Sequence, residues 1–315
     1  MSTIQKAMGK LKSQQKCDNK SEAAVNTEFT SPIKAERDSE LDNVLTQDVL
    51  AVKENVIDDK EIIELDLHHL KSLGMIDDTT TIKNKRMNDE FRTIKHKLLK
   101  NAFGENSNLN RNGQLVMITS SSPNEGKTFI SINLALSMAL EKNKTVLLVD
   151  SDILKPSVSK CLAIEERVGL IEYLNGEIED IGDVIYSTSI PNLKLIPAGK
   201  PHYQGHELLT SDRMTSLTKE LSKRYSDRIV LFDSPPINGV VETVVLSSLM
   251  GQAMVVVEQD KTKMSDLKSA ISNLHEELII GLILNKAVRG SFSNLGYGYG
   301  YGSYGYGSSE TSSSS

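Results

Sequence analysis

From Arg86 onward the chain alternates short apolar runs with helical segments, and no other feature limits its possible folds so sharply. The runs are Leu115 to Thr119, Thr145 to Asp150, Leu193 to Pro197, Arg228 to Asp233, Ala253 to Val257 and Ile279 to Asn285, each mostly β-branched or Leu. Strands that are apolar at nearly every position expect cover on both faces, and strands separated by helices expect parallel βαβ crossovers. The fold class that follows is α/β: a doubly wound, mostly parallel sheet. Helical periodicity predicts one helix over Asn88 to Ala102 and a second from Lys127, with Ile130, Leu134, Ala135 and Met138 on one face.

In such a sheet, ligands bind beyond the carboxyl ends of the strands. Three runs end there on residues that can do chemistry: Ser120 onward, Asp150 and Asp233. The first opens into Ser121, Ser122, Pro123, Asn124, Glu125, Gly126, Lys127, Thr128 and Phe129. A loop leaving a strand and entering a helix points backbone N–H groups and a helix N-terminus at phosphate. Lys127 would reach the outer phosphates and Thr128 would ligate magnesium. A Gly-Lys-Ser/Thr triplet alone arises by composition in roughly one chain in seven, so the strand-loop-helix setting carries the assignment. The loop departs from the usual G-x-x-x-x-G-K-[ST] pattern, because Ser121 stands at the first glycine, and Asn124 occupies a position that calls for positive φ. In the second element, Leu147 to Asp152, the carboxylates Asp150 and Asp152 lie two residues apart where strand becomes loop, with Lys155 and Pro156 following. One carboxylate can hold hydrated magnesium while the other accepts a proton. The third, Ile229 to Pro236, ends an apolar strand on Asp233, where an unpaired charge costs several kcal/mol; a metal-side role accounts for it.

The 315 residues carry a net charge of −6 and 38% hydrophobic residues, which suits one sizeable domain with appendages. Residues 1–85 are polar and read as a largely unpacked leader with local helices. A basic amphipathic stretch is expected around Ile4, Met8 and Leu11, and a docking helix over Glu61 to Met75. Residues 86–290 form the α/β domain. Residues 291–315 form a Tyr/Gly/Ser-rich tail bearing Tyr297, Tyr299, Tyr301, Tyr304 and Tyr306, whose only charge is Glu310. No apolar run approaches the roughly 18 residues of a membrane span, and the start lacks a signal-peptide core, so a cytoplasmic location is expected. With only Cys17 and Cys161, neither a disulfide framework nor a cysteine zinc site is supported. The acidic balance and lack of a basic stripe argue against nucleic acid as a partner.

In order, SSSPNEGKT, LLVDSD with Lys155-Pro156, VLFDSPP and a terminal tyrosine cluster resemble the bacterial tyrosine kinases of capsule and exopolysaccharide synthesis, especially the autokinases of exopolysaccharide and exosortase loci. The likeness covers about residues 86–306, including EFRTIKHKLL and PSVS. It implies a P-loop domain that binds ATP and Mg2+ and autophosphorylates the tail tyrosines. By the same resemblance Lys127 and Thr128 act on the nucleotide, Asp150 and Asp152 supply a base and a metal contact, and Asp233 completes the metal site. The implied partners are other copies of the chain, in a homo-oligomer or ring, a transmembrane polysaccharide co-polymerase that activates the kinase at the inner face of the membrane, and a tyrosine phosphatase. Two departures stand out: Lys155 replaces a common arginine, and the E-x-x-R-x-x-R subunit contact is matched by Asp89, Arg92 and Lys95, with Asp89 and Lys95 as substitutes. Two other readings stay open. One is an ATPase switch, whose loop would carry a lysine where Ser122 stands. The other is an ATP-binding scaffold without transfer activity.

Overall fold

The computed structural model describes residues 62–75, 82–105, 107, 111–202, 205–224 and 227–287. The chain divides into two units, 1–58 and 59–315, and every described residue belongs to the second. The amphipathic stretch expected around Ile4 and the five tail tyrosines lie outside the described residues.

The elements run α1 (Leu67–Ser72), α2 (Ile82–Phe103), β1 (Leu115–Ser120), α3 (Lys127–Ala139), β2 (Thr145–Asp150), α4 (Val158–Cys161), α5 (Leu170–Asn175), β3 (Tyr186–Ser187), β4 (Leu193–Ile196), α6 (Gly205–Leu208), α7 (Asp212–Arg224), β5 (Arg228–Asp233), α8 (Val241–Ser247), β6 (Gln252–Glu258), α9 (Met264–Asn273) and β7 (Ile279–Asn285). The sheet order is β3-β4-β2-β5-β1-β6-β7. Every pairing is parallel except the two-residue β3, which runs antiparallel to β4. This is the doubly wound α/β architecture, with the central β1 flanked by β5 and β6.

Alternation along each strand sorts the core into two layers. Leu115, Met117, Leu147, Val149, Val230 and Phe232 face one side and pack with Leu170, Leu217, Leu246 and Leu267 from α5, α7, α8 and α9. Val116, Ile118, Leu148, Ile229 and Leu231 face the other, against Phe91 and Leu98 of α2 and Leu134 and Met138 of α3. Strands β1 and β5 are buried at every position. Strand β7 departs from the expectation of two covered faces: Leu282 and Leu284 are 55% and 60% exposed. It ends the sheet order, and its outer flank has no neighbouring strand among the described residues.

The helix expected over Glu61 to Met75 forms only at Leu67–Ser72, capped by Asp66 accepting from the amides of His68 and His69. Upstream, Ile63 is extended, bridges in parallel to Thr188 and donates its amide to the Ser187 carbonyl. Ile63, Leu65, Leu70 and Met75 are nevertheless buried in the second core layer. Docking therefore comes half from edge pairing and half from the short helix. Helix α2 begins at Ile82, six residues before the expected start at Asn88.

Candidate active site

Ser120, the last residue of β1, opens the loop that runs to Thr128. The loop is braced from within by Glu125, only 3% exposed, whose carboxylate accepts from Ser121 Oγ (3.0 Å), from the Ser122 amide (3.0 Å) and from Thr262 Oγ1. Glu125 and Ser121, expected among the nucleotide contacts, thus spend their side chains on holding the loop. Asn124 has φ 66° and Gly126 φ 100°. Gly126 is favoured chiefly because its backbone is left-handed, and a Cβ there would also lie 2.1 Å from Asn285 Nδ2 and displace that side chain. The N–H groups of Glu125, Gly126 and Lys127 have no acceptor among the described residues. They lead into the 13-residue helix α3, whose N-terminus adds partial positive charge. Phe129 is drawn the other way, into packing with the second core layer.

Beside the loop stand the ends of β2 and β5, whose register sets Asp150 directly opposite Asp233. Asp233 is fully buried and accepts from Thr128 Oγ1 (2.7 Å) and Ser131 Oγ (2.9 Å). Thr128 also meets Ser157 Oγ at 2.7 Å. Asp150 is likewise fully buried: one oxygen accepts from the Val158 amide (3.0 Å) and the other, Oδ1, has no partner. Asp152 is 6% exposed and accepts from the Lys155 amide at 3.2 Å. A cavity of about 460 Å³ opens here, lined by Asn124, Gly126, Lys127, Thr128, Asp152 and Lys155 among others. Lys155 reaches across its mouth to Asn124 Oδ1 at 3.4 Å. Asp152 and the loop thus face the cavity, while Asp150 and Asp233 lie behind them.

The electrostatics are one-sided. Burial pushes the Asp150 carboxyl well above its ordinary value, with the Asp233 charge adding to the effect. Burial lifts Asp233 to about 6 despite the Thr128 and Ser131 hydroxyls, and raises Asp152 against the pull of Lys127. Three crowded carboxylates with an unmatched oxygen among them favour a small cation with hard oxygen ligands. Magnesium completed by water and nucleotide phosphate suits hard oxygen donors of this kind: Thr128 and Asp152 line the cavity, and Asp233 stands behind them, bonded to Thr128.

Sequence reasoning passed over several residues that the fold brings here. Ser131 and Ser157 orient Asp233 and Thr128, and Asn285 and Lys286 reach the loop from the far end of the chain, donating to the carbonyls of Glu125 and Asn124 (both 2.9 Å). Ser131 sits one helical turn past the loop and carries no spacing signal of its own, while Ser157 lies in the PSVS segment of the family likeness without a role read from it. Asn285 does end an apolar run, the same position as Asp150 and Asp233, and that could have marked it. Lys95, expected at a subunit contact, is instead 7% exposed, pairing with Glu141 Oε1 at 2.6 Å and donating to the Ser137 carbonyl at 3.1 Å. Its ammonium is turned toward the end of α3, while Asp89 and Arg92 remain at the surface.

The family model for an AAA domain matches residues 115–279, more than half of the chain. Tyrosine-protein kinase YwqD of Bacillus subtilis (strain 168) is 30% identical over 217 residues, 68% of this chain and 87% of that protein. The chain belongs to the bacterial tyrosine-protein kinase family. Tyrosine-protein kinase ptk of Acinetobacter johnsonii is 32% identical over 179 residues, but there the match spans only 24% of the relative's length. Several other matched relatives are likewise spanned over about a quarter of their length. Among solved structures, the kinase domain of VpsO aligns with TM-score 0.54 and 25% identity over 66% of this chain and 100% of that one. The kinase domain of the Escherichia coli tyrosine kinase ETK gives TM-score 0.53 at 24% identity, over 68% and 80%, and supports the fold.

Proposed function

We propose that the chain is an ATP-dependent protein-tyrosine kinase that phosphorylates its own tail tyrosines, Tyr297, Tyr299, Tyr301, Tyr304 and Tyr306, and thereby regulates exopolysaccharide or capsule production. The observation that carries the reading is the contact of Thr128 with Asp233 at 2.7 Å beneath a phosphate loop with free amides, in a chain 30% identical to a tyrosine-protein kinase over most of that relative.

The division of labour follows from position. The amides of Glu125, Gly126 and Lys127 and the α3 N-terminus bind the phosphates, and the Lys127 ammonium neutralises charge on the transferring phosphoryl group. Thr128, Asp152 and Asp233 would hold Mg2+, which supplies charge neutralisation across the phosphates when bound. Asp150 is the proton acceptor: burial and the neighbouring Asp233 make it a stronger base than an ordinary carboxylate, as deprotonating a phenol of pKa about 10 requires. Ser151 locks the two strand ends together, donating through its amide (2.9 Å) and hydroxyl (2.8 Å) to the Asp233 carbonyl.

Substrate and regulator reach the site from outside the described residues. We assign residues 291–315 as the substrate tail and 86–290 as the kinase domain. The partners that fit are further copies of the chain, a transmembrane polysaccharide co-polymerase and an opposing tyrosine phosphatase. Among the described residues no helix is long and apolar enough to cross a membrane, so a membrane-embedded partner would supply the contact with the bilayer. The proposal is tested by incubating wild type, Lys127→Met and Asp150→Asn with MgATP and probing for phosphotyrosine. Wild type gains phosphotyrosine and both variants lose it. Phosphotyrosine unchanged in Lys127→Met would reject this site as its source.

A further inference from the structure

We propose that Asn285 and Lys286, at the end of β7, are positioning residues for the phosphate loop, turning its amides toward the bound phosphates. The inference rests on the nucleotide reading above and adds residues to the same site. A trans peptide sets the carbonyl of one residue antiparallel to the N–H of the next, so pinning a carbonyl aims an amide. Lys286 Nζ donates to the Asn124 carbonyl and Asn285 Nδ2 to the Glu125 carbonyl, each at 2.9 Å. These bonds draw both carbonyls toward β7 and hold the N–H groups of Glu125 and Gly126 on the opposite side. The two sides are distinct in the structure: Asn285 and Lys286 line a groove with Phe129 and α2, whereas Gly126, Lys127 and Thr128 line the nucleotide cavity.

The strap is itself anchored. Lys286 pairs with Glu258 Oε2 at 3.0 Å, the Asn285 carbonyl accepts from the Gln259 amide at 3.1 Å, and Lys286 is held at φ 54°. The Glu258 carboxyl is held below its ordinary value, chiefly because Lys286 donates to it, with Lys261 adding to the effect. The Asn285 amide fills the space that a Cβ on Gly126 would need. A loop that begins with Ser121 in place of glycine and passes through a left-handed Asn124 thus takes its shape from two neighbours: Glu125 from within and β7 from outside.

The test is thermal denaturation of the full chain with and without MgATP, for wild type, Lys286→Met, Lys286→Arg and Asn285→Ala. Loss of one such hydrogen bond weakens binding about tenfold. Lys286→Met and Asn285→Ala are therefore expected to melt near the wild-type temperature without nucleotide, to show a smaller MgATP-induced rise corresponding to that loss, and to raise KM for ATP more than they lower kcat. Lys286→Arg, which keeps a donor in reach, retains most of the wild-type rise. Four results overturn the proposal. Both variants binding MgATP like wild type removes the strap alone. Weakening confined to Lys286→Met shows a charge acting at a distance, because Asn285 is neutral. A fall in nucleotide-free melting that accounts for the whole loss shows a fold defect. Wild type failing to bind MgATP removes the nucleotide reading and the strap together.

Discussion

The fully buried pair Asp150 and Asp233 shows the site's design at its smallest scale: two charges that stability alone would not keep. In the nucleotide-free protein, Asp233 has a folded-state value of about 6 against an ordinary 3.8. The folded form therefore holds its proton more tightly than the unfolded form. The contribution to stability is fully present below about pH 4 and is lost as pH rises through about 6. Asp233→Asn should accordingly raise the melting temperature of metal-free protein by a few degrees, since each kcal/mol is worth about 2–4 °C in a domain of this size. The gain should be larger at pH 8 than at pH 5 by differential scanning calorimetry, while phosphotyrosine formation falls. A gain that is equal at both pH values would show that the Asp233 charge is not destabilising. Gly126→Ala is expected to abolish MgATP binding in a calorimetric titration, because it meets both a left-handed backbone and the Asn285 amide. These roles were only partly legible in the sequence. Lys127, Thr128, Asp150, Asp152 and Asp233 stand at strand ends or in a recognised loop, whereas the inward turn of Glu125 rests partly on Thr262, which is distant in the chain and carries no local signal, beside the local Ser121 and Ser122.

Secondary-structure elements were the most readable level, because burial on both faces writes a continuous apolar run. Strands β1, β2, β4, β5, β6 and β7 all fall within a residue or so of the runs that announce them. Strand β3 escaped because two residues offer no period, and the segment before α1 escaped because Ile62, Leu65, Leu70 and Leu73 fall at roughly helical intervals, whereas the structure buries Ile63 and leaves Ile62 and Leu73 exposed. Helix α2 shows how a motif match leaves the surroundings of each residue unread. Lys95 sits at the spacing of a subunit contact, yet its ammonium is enclosed by α3. Lys95→Ala should cost about 1–2 kcal/mol in urea unfolding, the usual worth of hydrogen bonds to a charged group, with no change in oligomer size. Arg92→Glu, on the exposed face, should leave stability within about 0.5 kcal/mol. Equal stability losses in the two variants would contradict this division of the helix.

At the scale of the whole molecule, a sheet that gathers its candidate chemistry at one end is followed in sequence, after β7, by the segment that carries the proposed acceptor tyrosines. Lys286 touches the phosphate loop, and Tyr297 follows eleven residues later, so an extended segment between them spans at most about 40 Å. Each phosphotyrosine adds about −1.5 to −2. Five would add roughly −7.5 to −10 to a chain whose net charge is −6, and crowded tails would repel. Light scattering should show that phosphorylated protein forms smaller assemblies than unphosphorylated protein at moderate salt; identical sizes would reject charge as the regulator. The central claim, that a magnesium-nucleotide site in this sheet passes phosphate to the tail, is tested most directly by tryptic phosphopeptide mapping after incubation with MgATP. The account predicts label on the peptide that follows Arg289, absent from Lys127→Met. ATP bound and consumed with that peptide unlabelled, even when a membrane-embedded activator is supplied, would contradict it.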